Sequence, residues 1–155
     1  MKQQSGRSLI EVIGVLAIGG MMSVAALGLF NMLRSDMALA DAESKLKSIA
    51  ENTKLLWEPR GTYAGASVEV LIQEGAFESE RAPIGGDTWS IVASADGQSF
   101  SINLVDLTYE ECEYFSIKKL DWVSAILVNG FEETHSRGTD NCFKSDTNQV
   151  SLVVE

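Results

Sequence analysis

The sequence predicts an α+β fold, in which one long N-terminal α-helix packs its second half on a small antiparallel β-sheet. Three observations predict it. No proline interrupts the chain from Met1 to Glu58, and the apolar residues there are either continuous or recur at helical spacing. After Gly61 the chain breaks into short alternating runs separated by turn residues. The 155 residues suit one ordinary domain, yet a helix of that length exceeds what such a domain can bury.

The first half of the helix is apolar on all sides. Between Leu9 and Leu33 the strongly polar side chains are Glu11 and Asn31, with Ser23 mildly so. Those 25 residues exceed the roughly 20 that span a bilayer as a helix. A secretory signal peptide has an apolar stretch of about 7–15 residues, shorter than this one, so a retained membrane segment is favoured. Lys2 and Arg7 precede the span with no acidic residue among them, whereas Arg34 behind it is answered by Asp36. The positive-inside tendency then keeps the N-terminus cytoplasmic and exports the rest.

The second half is amphipathic. Leu39, Leu46, Ile49, Thr53 and Leu56 form a stripe, while Asp41, Glu43, Lys45, Lys47 and Glu51 fall mostly elsewhere. Pro59 and Gly61 supply the stop. One helix from about Ser8 to Trp57 is expected, on the order of 75 Å long. Its first half must find another solvent, either lipid or copies of itself.

Ser67 through Glu74 reads as a short helix, with Ser67 as N-cap and Gly75 at its C-terminal end. Pro83-Ile84-Gly85-Gly86 is turn material. Trp89–Ser94 and Gln98–Leu107 read as strands joined by Ala95-Asp96-Gly97, and Phe100, Ile102 and Leu104 mark one buried face. Thr108–Leu120 reads as a helix capped by Thr108, with Glu110 and Glu111 at its positive end. Ser124–Val128 is a strand ended by Asn129-Gly130, Phe131–Asn148 a polar loop, and Val150–Val154 a final strand.

Charge and composition exclude several functions. The net charge is −10, and every acidic residue except Glu11 lies beyond Arg34, which argues against nucleic acid as a partner. The two cysteines, Cys112 and Cys142, both fall in the exported part. They are read as a disulfide, with two free buried thiols as the alternative. Closing that loop of about 30 residues would stabilise the fold by roughly 3–4 kcal/mol. His135 has no second ligand near it in sequence and reads as a solvated loop residue. Asp140, Asn141, Asp146 and Asn148 make an oxygen-rich loop, but their spacing matches no calcium loop, and solvated turn residues are the better reading. Trp57, Trp89 and Trp122 read as packing residues. With no nucleophile elbow, phosphate loop or zinc spacing, neither enzyme activity, cofactor nor metal is expected.

Glu11 stands out against this background, because a carboxylate in hydrocarbon costs about 2.5–3.5 kcal/mol and is usually paired or functional. It belongs to Gly6-Arg7-Ser8-Leu9-Ile10-Glu11, followed by the apolar run. That stretch resembles the cleavage and methylation signature of type IV pilins and type II secretion pseudopilins. The resemblance implies a pilin-like fold, a leader of residues 1–6, a cut between Gly6 and Arg7, and N-methylation of Arg7. Residues 7–33 become the transmembrane or filament-core helix, and residues 34–155 the exported head. Glu11 becomes the docking charge that meets a neighbouring subunit's new N-terminal ammonium, two charges that are tolerable together where each alone is costly. The implied partners are copies of itself, a prepilin peptidase, a pilus or secretion assembly platform, and the bacterial inner membrane before assembly. From the inner membrane the head would pass to a pilus on the cell surface or stay in the periplasm.

The sequence departs from the family pattern at two positions. Arg7 stands where members usually carry Phe, Met or Leu after the cut, and Gly28 stands where many have a helix-kinking proline. The placing of the cysteines resembles the type IVb class, the short leader the type IVa class. The function implied is a structural subunit of a type IV pilus or pilus-like filament. A secretion pseudopilin and a membrane-anchored binding or adhesion module that never polymerises are the alternatives. The paired cysteines favour the pilin, since major pseudopilins are more often closed by calcium.

Overall fold

A computed structural model describes residues 9–78, 81–133 and 141–155. The leader, the Gly6–Arg7 bond, His135 and Asp140 lie outside the described residues. Helix α1 runs from Leu9 to Trp57, and the chain divides into two compact units, the first ending at Ala38 and the second running from Leu39 to Glu155.

In the first unit α1 is apolar and uncovered. Its most apolar 18-residue window has a mean hydropathy of 2.2 with none of it buried, so it is long and apolar enough to cross a membrane. The hydroxyl of Ser23 donates to the carbonyl of Gly19 at 2.8 Å, which satisfies a polar group within the apolar stretch.

In the second unit α1 buries Leu39, Ala42, Leu46, Ile49, Thr53 and Trp57, one every three or four residues. Thr53 sits in this stripe without penalty because its hydroxyl donates to the Ile49 carbonyl at 2.7 Å. At the helix end Trp57 is buried and Leu56 only half-buried, so the stripe closes one residue later than the periodicity predicts. A 3-10 turn, Glu58–Arg60, ends on Gly61 with φ 70°. The short helix α2, Val68–Gln73, starts at Ser67, whose hydroxyl accepts from the Val70 amide.

Five strands follow: β1 (Trp89–Ala93), β2 (Phe100–Leu107), β3 (Ala125–Val128), β4 (Phe131–Glu132) and β5 (Asn148–Val154). They form one antiparallel sheet in the order β1-β2-β5-β3-β4, so the last strand enters between β2 and β3. Its register lines up Ile91, Ile102, Leu152 and Ile126 across four strands. All four are buried, in one core with Leu46, Ile49 and Trp57 of α1. The opposite face, with Ser90, Ser101 and Ser151, is wetter, as strand alternation requires. Helix α3, Tyr109–Ile117, joins β2 to β3, and Thr108 and Glu111 form a reciprocal capping box at its start.

Two sequence expectations need correction. Helix α3 stops at Ile117, not Leu120, because Lys118 turns extended and Leu120 enters the core from the linker. The stretch from Phe131 to Asn148 is not wholly loop. Asn129 and Gly130, with φ of 50° and 86°, form a two-residue hairpin that folds β4 back on β3, and Asn148 already belongs to β5.

Candidate functional site

Glu11 lies in the first turn of α1, where a carboxylate suits the positive end of the helix. It is exposed, and so is each described large apolar side chain behind it, from 43% exposure at Val12 to 76% at Met21. Covering a dozen such side chains is worth on the order of 20 kcal/mol. The segment therefore has a strong drive to leave water, and Glu11 lies at its start.

In the head, Cys112 on α3 and Cys142 are joined by a disulfide, with Cα atoms 5.9 Å apart. Cys112 is fully buried and Cys142 nearly so. The bond ties α3 to the loop that leads into β5.

That loop is held a second time by asparagines. Asn148 is fully buried, which overturns its reading as a solvated turn residue. Its Nδ2 reaches the carbonyls of Leu107, Phe143 and Ser145 at 3.2, 2.9 and 2.8 Å. Its Oδ1 accepts from the Phe143 amide at 2.7 Å and from Asn129 Nδ2 at 3.1 Å. Asn129 also donates to the Asn141 carbonyl at 2.6 Å and accepts from the Gln149 amide at 2.9 Å. Asn141 donates to the buried Glu133 carboxylate at 2.9 Å. Side-chain amides are the natural choice here, since each can serve unpaired backbone donors and acceptors together. Of the four oxygen-bearing loop residues, Asn141 and Asn148 are thus spent on the fold, and Asp146 is exposed. No group of three His, Cys, Asp or Glu able to hold a metal occurs among the described residues. Trp57 and Trp89 are buried and Trp122 half-buried.

A cluster that sequence reasoning missed joins α3 to α1. Lys118 Nζ donates to Glu43 Oε2 at 2.5 Å and to Tyr114 Oη at 2.6 Å, and Tyr114 Oη donates to the same carboxylate oxygen at 2.6 Å. The ammonium also lies 4.8 Å from the Tyr114 ring centroid. Burial alone would raise the Glu43 pKa, but hydrogen bonds from Lys118 and Tyr114, with the charges of Lys118 and Lys47, hold it below the usual carboxylate value. The hydrogen bond to Glu43 in turn raises Lys118, and burial raises Tyr114. The one local signal was the spacing of Tyr114 and Lys118, which places them on one helix face.

No protein-family model matches this chain, and no curated protein matches it either. Among solved structures the chain is similar to TcpA, a type IV pilin from Vibrio cholerae El Tor biotype, with a TM-score of 0.58 and 15% sequence identity. The match covers 77% of this chain and 99% of that one. Likeness at this identity concerns the fold alone. The fold of this chain, a long N-terminal helix followed by a small antiparallel sheet, is a pilin fold.

Proposed function

We propose that the chain is a structural subunit of a type IV pilus or pilus-like filament. In this reading α1 anchors it in the inner membrane, with the head exported. A prepilin peptidase cuts between Gly6 and Arg7 and methylates Arg7. An assembly platform then moves the subunit into a filament whose core is built from α1 helices, each Glu11 pairing with a neighbour's N-terminal ammonium. One observation carries the reading: an uncovered apolar helix bearing a lone carboxylate in its first turn, on a chain with a pilin fold. Such a helix needs lipid first and identical helices later, and inside a core of identical helices the carboxylate needs a cation. The disulfide in the head favours a pilus over a secretion pseudopilus.

The experiment is intact-mass analysis of the native protein, from membranes and from filaments sheared off the cells. The reading expects a chain starting at methylated Arg7 in both pools. A chain that keeps Lys2, or one present only in membranes of cells making normal filaments, would leave a plain membrane-anchored module.

A further inference from the structure

The two fasteners on α3 act on different partners. Cys112 ties its middle to the loop before β5, and Tyr114 with Lys118 ties its last turn to α1 through Glu43. From Cys112 to Lys118 is less than two helical turns, so one short helix joins α1 to the C-terminal loop. The disulfide cannot make the link to α1 by itself, since neither cysteine is on that helix. We infer that α3 is a tie-bar, welded to the C-terminal loop by Cys112–Cys142 and latched to α1 by a charge-dependent Glu43–Tyr114–Lys118 contact that is closed at neutral pH and opens in acid.

The latch is suited to that task. Three donor–acceptor pairs converge within 2.5–2.6 Å, and Glu43 is 23% exposed, so its charge is neither fully buried nor fully screened. Hydrogen bonds to an ionised acceptor are stronger than neutral ones, and protonating Glu43 removes both the charge and an acceptor site. The charged and titratable groups that act on Glu43 are Lys47 on its own helix, Tyr114 on α3 and Lys118 at the C-cap of α3. All three favour the ionised carboxylate. Because the folded-state pKa of Glu43 is lowered, its contribution is present above the ordinary carboxylate range and is lost as pH falls through the lowered value. Lys118 sets the other limit. With its pKa raised, its contribution holds below the ordinary lysine value and is lost as pH rises through the raised one. This inference rests on the head alone and stands whether or not the chain polymerises.

Hydrogen exchange on the full chain in detergent micelles tests it, read separately in segments 39–57, 109–118 and 141–148. Near neutral pH, Glu43→Gln should speed exchange in 109–118 by about tenfold and leave 141–148, still held by the disulfide, nearly unchanged. Reducing the disulfide in wild-type protein should do the reverse, loosening 141–148 more than the last turn of α3. Lowering the pH stepwise from neutral through the ordinary carboxylate range and below it should open 109–118 in wild type beyond the intrinsic exchange trend. The Thr108–Glu111 capping box is common to both proteins, so the excess of wild type over Glu43→Gln isolates the latch. Lys118→Met, which keeps most of the apolar stem without the ammonium, should match Glu43→Gln. Equal protection of 109–118 in wild type and Glu43→Gln near neutral pH would overturn the latch. So would an acid response of equal size in both proteins, or loosening spread evenly over all three segments.

Discussion

At the scale of single residues, space decides as much as backbone angle. Gly85 and Gly130 both adopt left-handed backbone, with φ of 81° and 86°. A Cβ on Gly130 would meet open space, whereas one on Gly85 would lie 2.6 Å from the Val105 carbonyl oxygen. Gly130→Ala should therefore cost about 1 kcal/mol, the strain of left-handed backbone. Gly85→Ala adds a steric clash with the backbone and should cost about 3 kcal/mol. Urea midpoints of the two variants, measured side by side, check the order. Asn148 is a sharper case. Asn148→Ala strands the buried Leu107 carbonyl and takes the acceptor from the half-buried Phe143 amide, and should cost about 2–4 kcal/mol. Asn148→Asp puts a carboxylate against three carbonyl oxygens. Those carbonyls raise the new carboxyl's pKa in the folded state, so this variant should gain stability relative to wild type as pH falls. Equal pH profiles for the two would contradict that geometry. The turns at Gly85 and Gly130 are legible in the sequence, but the burial of Asn148 is not. In sequence Asn148 sits among Asp146, Thr147 and Gln149, and only the approach of β2 and the Asn129 hairpin turns it into a core residue.

At the scale of elements, local signals succeeded where the cause of structure is local. Ser67 and Thr108 cap the helices their side chains were expected to cap, and Pro59 with Gly61 ends α1. The alternation of Phe100, Ile102 and Leu104 gave the right buried face. Strand β4 is not legible in the sequence because two residues carry no periodicity, and Asn129-Gly130 can end a strand as well as turn a hairpin. The sequence points past the true end of α3 because Lys118, Lys119 and Leu120 are good helix formers, and Lys118 nonetheless turns extended beside its contacts with Glu43 and Tyr114. The disulfide sits between these elements, and its burial makes a kinetic prediction. With Cys112 fully buried and Cys142 9% exposed, a thiol reductant has little access while the head is folded. Dithiothreitol should therefore leave the bond largely intact in native protein and cleave it once urea opens the head, as alkylation and mass spectrometry would show. Once reduced, the head should lose about 3–4 kcal/mol, read as a lower urea midpoint. Ready reduction of native protein would mean that the loop before β5 opens far more often than its hydrogen bonds imply.

At the scale of the whole molecule, the apolar half of α1 was the most legible part of the sequence, because bulk hydropathy needs no partner to be read. The tie between Glu43 and Lys118 was the least legible, since its members are 75 residues apart and neither is unusual alone. Glu11 lies between these extremes: its motif is local, but the cation it would meet belongs to another copy. That difference gives the decisive test of the proposed function. If Glu11 only marks the edge of a membrane span, Glu11→Gln should be harmless or should ease insertion, because a charge leaves the apolar phase. If it pairs with a neighbour's N-terminal ammonium, Glu11→Gln leaves that ammonium unpaired in an apolar core, at a cost of about 3–5 kcal/mol per contact. The loss repeats at every subunit, so filaments should fail to form while membrane insertion, cleavage and the head's disulfide persist. Glu11→Asp keeps the charge on a shorter arm and should give an intermediate yield. Filament mass per cell, set beside the membrane-embedded pool for each variant, separates the two cases. Normal filaments built from Glu11→Gln subunits, at normal subunit levels, would show that this carboxylate does not dock one subunit to the next.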